Sequence, residues 1–124
     1  MKVRDAMTEQ VLTITPGRTL RDAARFMSEH NVGAAVIIDP EAPGPGIVTE
    51  RDVVRSLGAG EDPDSEIIGN HLTSRATFAD AEWSLEEAAD AMAKGGFRHL
   101  VVVQDGELVG IISMRDIIQV WRPK

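Results

Sequence analysis

The sequence predicts an α/β fold made of two copies of one β-α-β-β-α unit, with the two small sheets packed against each other. Three observations carry this. The phrase GIVTERDVVR at residues 46–55 returns as GIISMRDIIQ at 110–119, with Gly, a hydroxyl, Arg and Asp held in place. The duplication runs well past that phrase: residues 3–39 superpose on 68–104 with a shift of 65, and 46–56 on 110–120 with a shift of 64. Each copy then shows the same succession of helical and strand periodicity.

The elements follow in order. Short strands are expected around Val11 to Ile14 and Arg75 to Ala79. Leu20, Ala23, Ala24 and Met27 recur at the spacing of a helix with one buried face, and Leu85, Ala88, Ala89 and Met92 repeat it. Thr19 and Ser84 stand just ahead as N-caps, and Ser84 with Glu87 forms a capping box. Asn31 and Gly95-Gly96 end these helices. Short β-branched runs come next: Val36 to Ile38 and Ile47-Val48 in the first copy, Val101 to Val103 and Leu108 to Ile112 in the second. The Asp-Gly of QDGE, residues 104–107, signals a tight hairpin. In the first copy PEAPGPG is a longer and stiffer connection, and it absorbs the one-residue change in shift. A second helix starts near Glu50 and again near Met114. Between the copies SLGAGEDPDSE, residues 56–66, has the Gly, Pro and acid content of a linker. The expected division is a first repeat over 1–58, a linker over 59–66 and a second repeat over 67–124.

Composition narrows the function classes. There are 13 basic and 20 acidic residues, a net charge of −7, which argues against a dedicated nucleic-acid binder but not against a small anionic ligand. Cysteine is absent, so no disulfide framework or thiolate chemistry is available, in keeping with a reducing, cytoplasmic setting. The start MKVRDAMTEQ has no apolar stretch of signal-peptide length, and the runs AAVII and LVVV are too short to span a bilayer. No membrane or nucleic-acid partner is expected. His30, His71 and His99 form no paired-histidine motif, so no metal site is expected. There is no P-loop, no GxGxxG and no nucleophile–base pair, so the chain does not read as an enzyme. Trp83 and Trp121 read as covers for a core edge or a subunit interface.

The duplicated unit, the phrases GIVTERD and GIISMRD, and GFRHLVVV at 96–103 together resemble a pair of cystathionine-β-synthase (CBS) domains, a Bateman module. The resemblance covers nearly the whole chain. It implies a disk of two repeats with pseudo-twofold symmetry, packed through their sheets and commonly paired into a homodimer. It also implies a regulatory role, sensing an adenine nucleotide (AMP, ADP or ATP, with AMP or ATP favoured) in clefts between the repeats. No cofactor is required, and the regulated protein is unknown. The alternative is a ligand-silent module that only dimerises or docks on a partner.

The resemblance also points to particular residues. Thr49 with Asp52, and Ser113 with Asp116, have the spacing of a helix cap. The same carboxylates, in a helix's first turn, can accept both hydroxyls of a ribose. A Ser or Thr hydroxyl beside free N–H groups at a helix start suits a phosphate. Arg51 and Arg115 sit one residue before those acids and are candidates for phosphate contact. Arg98 and His99, at the entry of a strand, face the same task in the second copy. Their counterparts in the first copy are Gly33 and Ala34, small enough for a purine or phosphate to approach the backbone. The base is expected near the first strand of each repeat, at Val11 and Thr13 and at Thr77 and Phe78.

Overall fold

The computed structural model describes residues 1–72 and 77–121. A short helix α1 (Val3–Ala6) opens the chain, followed by β1 (Thr13–Ile14), α2 (Leu20–His30), β2 (Ala34–Ile37), β3 (Gly46–Thr49) and α3 (Glu50–Gly58). A single 3-10 turn (Ile68–Asn70) leads into β4 (Phe78–Asp80), α4 (Leu85–Gly95), β5 (His99–Gln104), β6 (Glu107–Ser113) and α5 (Met114–Val120). The expected β-α-β-β-α order is found in both copies. The strand expected from Arg75 begins, within the described residues, at Phe78.

Two three-stranded sheets result, with orders β1-β2-β3 and β4-β5-β6. In each, the first two strands are parallel and the last two antiparallel, because a helix separates the former and a short connection the latter. The β5–β6 hairpin turns on Asp105 (φ 53) and Gly106 (φ 81), both left-handed as a type I′ turn requires. The helix stops also follow the sequence: Asn31 is a left-handed C-cap for α2 (φ 53) and Gly96 for α4 (φ 71). Ser84 and Glu87 form the expected capping box.

The compact units and the sequence period divide the chain at different points. One unit comprises residues 1–11 with 77–124, and the other residues 12–76. Each has its own core. The second contains Ile14, Leu20, Ala23, Met27, Ala35, Ile37, Val48, Val53 and Ile68. The first contains Ala79, Ala88, Met92, Leu100, Val102, Ile112 and Ile117 with Val3. Apart from the leaders, these residues correspond under the shifts of 65 and 64, save that Leu85, the counterpart of Leu20, is only partly buried against its core. The leader residues are exchanged: Val3, from the start of the first copy, is buried among residues of the second, and Ile68 among residues of the first.

Backbone bonds hold each exchanged leader in matching fashion. Val3 N donates to Trp83 O at 2.8 Å, and Ile68 N to Arg18 O at 2.8 Å. Arg4 N donates to Ala81 O at 3.0 Å, and Gly69 N to Pro16 O at 2.9 Å. Leu85 N reaches Met1 O at 3.3 Å, and Leu20 N reaches Glu66 O at 2.9 Å. In the unit of residues 1–11 and 77–124, Thr8 also pairs with Ile111 on β6. There the backbone approach requires Gly110: a Cβ would lie 2.8 Å from Thr8 O and 2.8 Å from Met7 Sδ. The two short leader helices carry no long apolar period, which is why sequence periodicity alone passed them over.

Ile68 has no exposed surface, so Ile68→Ala removes buried methyl groups that close a core. We expect it to cost about 2–5 kcal/mol in denaturant unfolding. A loss below about 1 kcal/mol would show that the leader contributes little to that core.

Candidate functional site

The polar groups singled out in the sequence gather at one end of each sheet. In the unit of residues 12–76, Ala34 opens β2 directly opposite Thr49, the last residue of β3. In the other unit His99 opens β5 opposite Ser113, the last residue of β6. Gly33 and Arg98 precede those strands, and their carbonyls do the same work: Glu50 N donates to Gly33 O at 2.9 Å, and Met114 N to Arg98 O at 2.9 Å. The start of α3 or α5 is thus tied to the start of the central strand, and residues 33, 34, 49, 51 and 52 correspond in place to 98, 99, 113, 115 and 116.

Both caps close as boxes. Thr49 N donates to Asp52 Oδ2 at 2.8 Å and Thr49 Oγ1 to the same oxygen at 3.1 Å, while Asp52 N returns a bond to Thr49 Oγ1 at 3.4 Å. Ser113 N donates to Asp116 Oδ2 at 2.8 Å and Asp116 N to Ser113 Oγ at 3.1 Å. In each box the bonds that the carboxylate accepts from the cap residue fall on Oδ2. The four capping residues are half-buried. Arg51 and Arg115 are exposed at the second position of their helices, where the positive end of the helix dipole disfavours a cation.

The remaining candidates divide. Arg98 is exposed and His99 half-buried, whereas Ala34 is buried, so the two strand ends match in geometry and differ in chemistry. Thr13 is exposed on β1, which lies on the opposite side of β2 from Thr49. Thr77 and Phe78 are exposed beside β5, with Thr77 O accepting from Val101 N at 3.0 Å. Val11 is half-buried in irregular chain ahead of β1.

The structure also brings together a set that the sequence reading missed. Glu61, Glu66 and His71 place one ligand atom each within 4.8 Å of one another. His71 Nε2 lies 2.8 Å from Glu66 Oε1 and 4.0 Å from Glu61 Oε1. The hydrogen bond from His71 is the main cause holding the Glu66 carboxyl below its ordinary range; partial desolvation opposes it. Because that pKa is depressed in the folded state, its contribution to stability is present above the ordinary Glu range and fades as pH falls through the folded value. The search for paired histidines could not find this set. Its signal was an acid, an acid and a histidine five residues apart, the acids in the linker and the histidine just beyond it.

The CBS-domain family model matches residues 3–59 and 66–122. The fold and its two matched strand ends therefore define a tandem CBS pair, a regulatory module, and the chain belongs to the CBS-domain family. The CBS domain-containing protein YhcV of Bacillus subtilis is 36% identical over 119 residues, covering 93% of this chain and 81% of that protein. A CBS domain protein from Pyrobaculum aerophilum, solved in complex with AMP, is 28% identical with a TM-score of 0.82 over 94% of this chain and 89% of that one. A hexameric CBS-CP12 protein from bloom-forming cyanobacteria is 30% identical with a TM-score of 0.87, and this chain spans 94% of itself and 66% of that longer chain. No helix among the described residues is long and apolar enough to cross a membrane.

Capping by itself makes a prediction. Thr49→Ala and Ser113→Ala should each cost about 1 kcal/mol of stability, read as a shift in denaturant midpoint. An unchanged midpoint in both would mean that the boxes are not holding the helix starts.

Proposed function

We propose that the chain senses an adenine nucleotide at these strand-and-helix ends. The observation that carries this is the arrangement of charge at the start of α5 and α3. Capping occupies Oδ2 of Asp52 and of Asp116, which leaves the second oxygen of each carboxylate to accept from ribose hydroxyls. Arg51 and Arg115 stand beside those carboxylates in a position the helix dipole does not favour. An anionic phosphate there would meet a guanidinium and the N–H groups of a helix start together. The AMP complex of the Pyrobaculum relative supports the choice of ligand class.

The two ends are not equal. Arg98 and His99 add a cation and a ring nitrogen to one, where Gly33 and Ala34 add nothing charged. The end built on Ser113 and Asp116, with Arg98, His99 and the adjacent Thr77-Phe78 strand, is the stronger nucleotide site. The end built on Thr49 and Asp52, with Thr13 on its first strand, is the weaker one. Val11, next to β1, would take part through its backbone.

Calorimetric titration with AMP, ADP and ATP tests this. A charge-assisted bond to phosphate is worth about 1.5–3 kcal/mol, so Arg98→Ala should weaken binding by roughly ten- to a hundredfold. Asp116→Ala should reduce affinity more than Asp52→Ala. If neither acid alters affinity and each only lowers the melting temperature, the carboxylates are caps and nothing more. Absence of binding by the unsubstituted chain would leave a ligand-silent docking module.

A specific observation supports self-association. Val54 and Leu57 are exposed on α3 at 65% and 51%, and their counterparts Ile118 and Trp121 at 60% and 71%. Trp83, by contrast, packs against a core. Each unit thus exposes a matched apolar pair at or just past its last helix, the kind of surface a second copy of the chain would cover. Sedimentation should give about twice the 13.4 kDa chain mass, and Val54→Glu with Ile118→Glu should return the single-chain mass without unfolding. A single-chain mass before substitution would contradict the dimer.

A further inference from the structure

We infer that Glu61, Glu66 and His71 form a site for a divalent transition-metal ion of the Zn2+ class, separate from the nucleotide site. Glu61 and Glu66 lie in the linker and His71 directly follows the 3-10 turn, all in one compact unit. The expectation of no metal site rested on the lack of paired histidines, and this set uses one imidazole with two carboxylates. That mixed nitrogen and oxygen donor set suits a borderline cation and not Mg2+ or Ca2+, which take oxygen ligands.

The geometry is close to what such an ion needs. Zinc binds carboxylate oxygen and imidazole nitrogen at about 2.0–2.2 Å, so two donors of a tetrahedron lie ~3.4 Å apart. Here the imidazole nitrogen lies 2.8 Å from one carboxylate and 4.0 Å from the other, which brackets that spacing. Side-chain shifts below an ångström complete the set. Three protein ligands leave a fourth position open to solvent.

The ligands are also held from behind. Ser56, a buried hydroxyl only 3% exposed, donates to Glu61 Oε1 at 2.9 Å. Such outer bonds orient ligating carboxylates. Backbone bonds fix all three residues: Glu61 N to Ser56 O at 3.1 Å, Glu66 N to Asp62 O at 2.9 Å and His71 N to Ile68 O at 2.9 Å. The His71 side chain is 17% exposed, so the imidazole is held largely within the fold while Glu61 faces solvent at 39%.

The set is not part of the duplicated pattern. Under the shift of 65, Glu66 and His71 correspond to Met1 and Ala6, neither of which ligates a metal in this way. The donors belong to one unit alone, where an ion would pin the end of α3, the linker and the 3-10 turn to one another.

The experiment is a Zn2+ titration of the full chain near neutral pH by calorimetry, with melting temperature followed in parallel and EDTA as the reversal. One ion per chain should bind, and the melting temperature should rise. His71→Gln and Glu61→Gln should each weaken binding roughly tenfold or more, while His30→Gln should leave it unchanged. Mg2+ and Ca2+ should not compete. Glu61 is exposed, so Glu61→Gln gives the readout even if His71→Gln fails to fold. Equal Zn2+ affinity in Glu61→Gln, no binding at millimolar Zn2+, or equal binding of Mg2+ would overturn the assignment. Nucleotide titration in EDTA is independent of it, so the two readings fail separately.

Discussion

Val3 and Ile68 are the residues on which both cores depend. Each has no exposed surface, and each sits in a core otherwise built from the other copy's elements. Burying an aliphatic side chain of this size is worth about 1.5–3 kcal/mol, a large part of the stability of a unit of about 60 residues. In this structure neither copy supplies this group to its own core. The exchange ties each copy's core to the other's leader, and it fixes the same backbone bonds in both: Val3 to Trp83 and Ile68 to Arg18, Arg4 to Ala81 and Gly69 to Pro16.

That constraint reaches the polar ends through the strands. Thr8 pairs with Ile111 in the middle of β6, and Gly110 is bare so that the leader can come this close. Two residues further on, β6 delivers Ser113 to the start of α5 and opposite His99. The register that buries Ile112 in the core therefore also decides which hydroxyl caps the helix. A slip of one residue would exchange core and polar faces together. Core packing and site geometry are thus one specification, written in the same short strand.

Most of the architecture was legible because it rests on local signals. The αL stops at Asn31 and Gly96, the Asp105-Gly106 turn and the Ser/Thr-x-x-Asp boxes each need a particular residue at a particular place. The stripes Leu20-Ala23-Met27 and Leu85-Ala88-Met92 named their buried faces directly. The exchanged leaders were not legible, because α1 and the 3-10 turn are too short for periodicity and their burial is a long-range event. Superposing residues 3–39 on 68–104 did mark Val3 and Ile68 as equivalent, but nothing local said which core each would enter. Glu61, Glu66 and His71 were missed for a related reason. Their convergence comes from the path of a linker, held by backbone bonds to Ser56, Asp62 and Ile68, and no periodic rule encodes it.

The duplication also shows where function has departed from structure. Positions that build the fold stay matched: Val48 with Ile112, Val53 with Ile117, Met27 with Met92. At the polar ends the capping pairs match, Thr49 with Ser113 and Asp52 with Asp116, and so do Arg51 and Arg115. At the entry of the central strand the copies diverge, and Gly33-Ala34 stands against Arg98-His99. The backbone at residues 33 and 98 performs the same service to α3 and α5 through its carbonyl, so either side chain is structurally acceptable there. A position whose backbone duty is fixed and whose side chain is unconstrained is where chemistry can change without cost to the fold. Arg98 against Gly33 is such a position, and there the two ends differ in charge while their backbones do the same work.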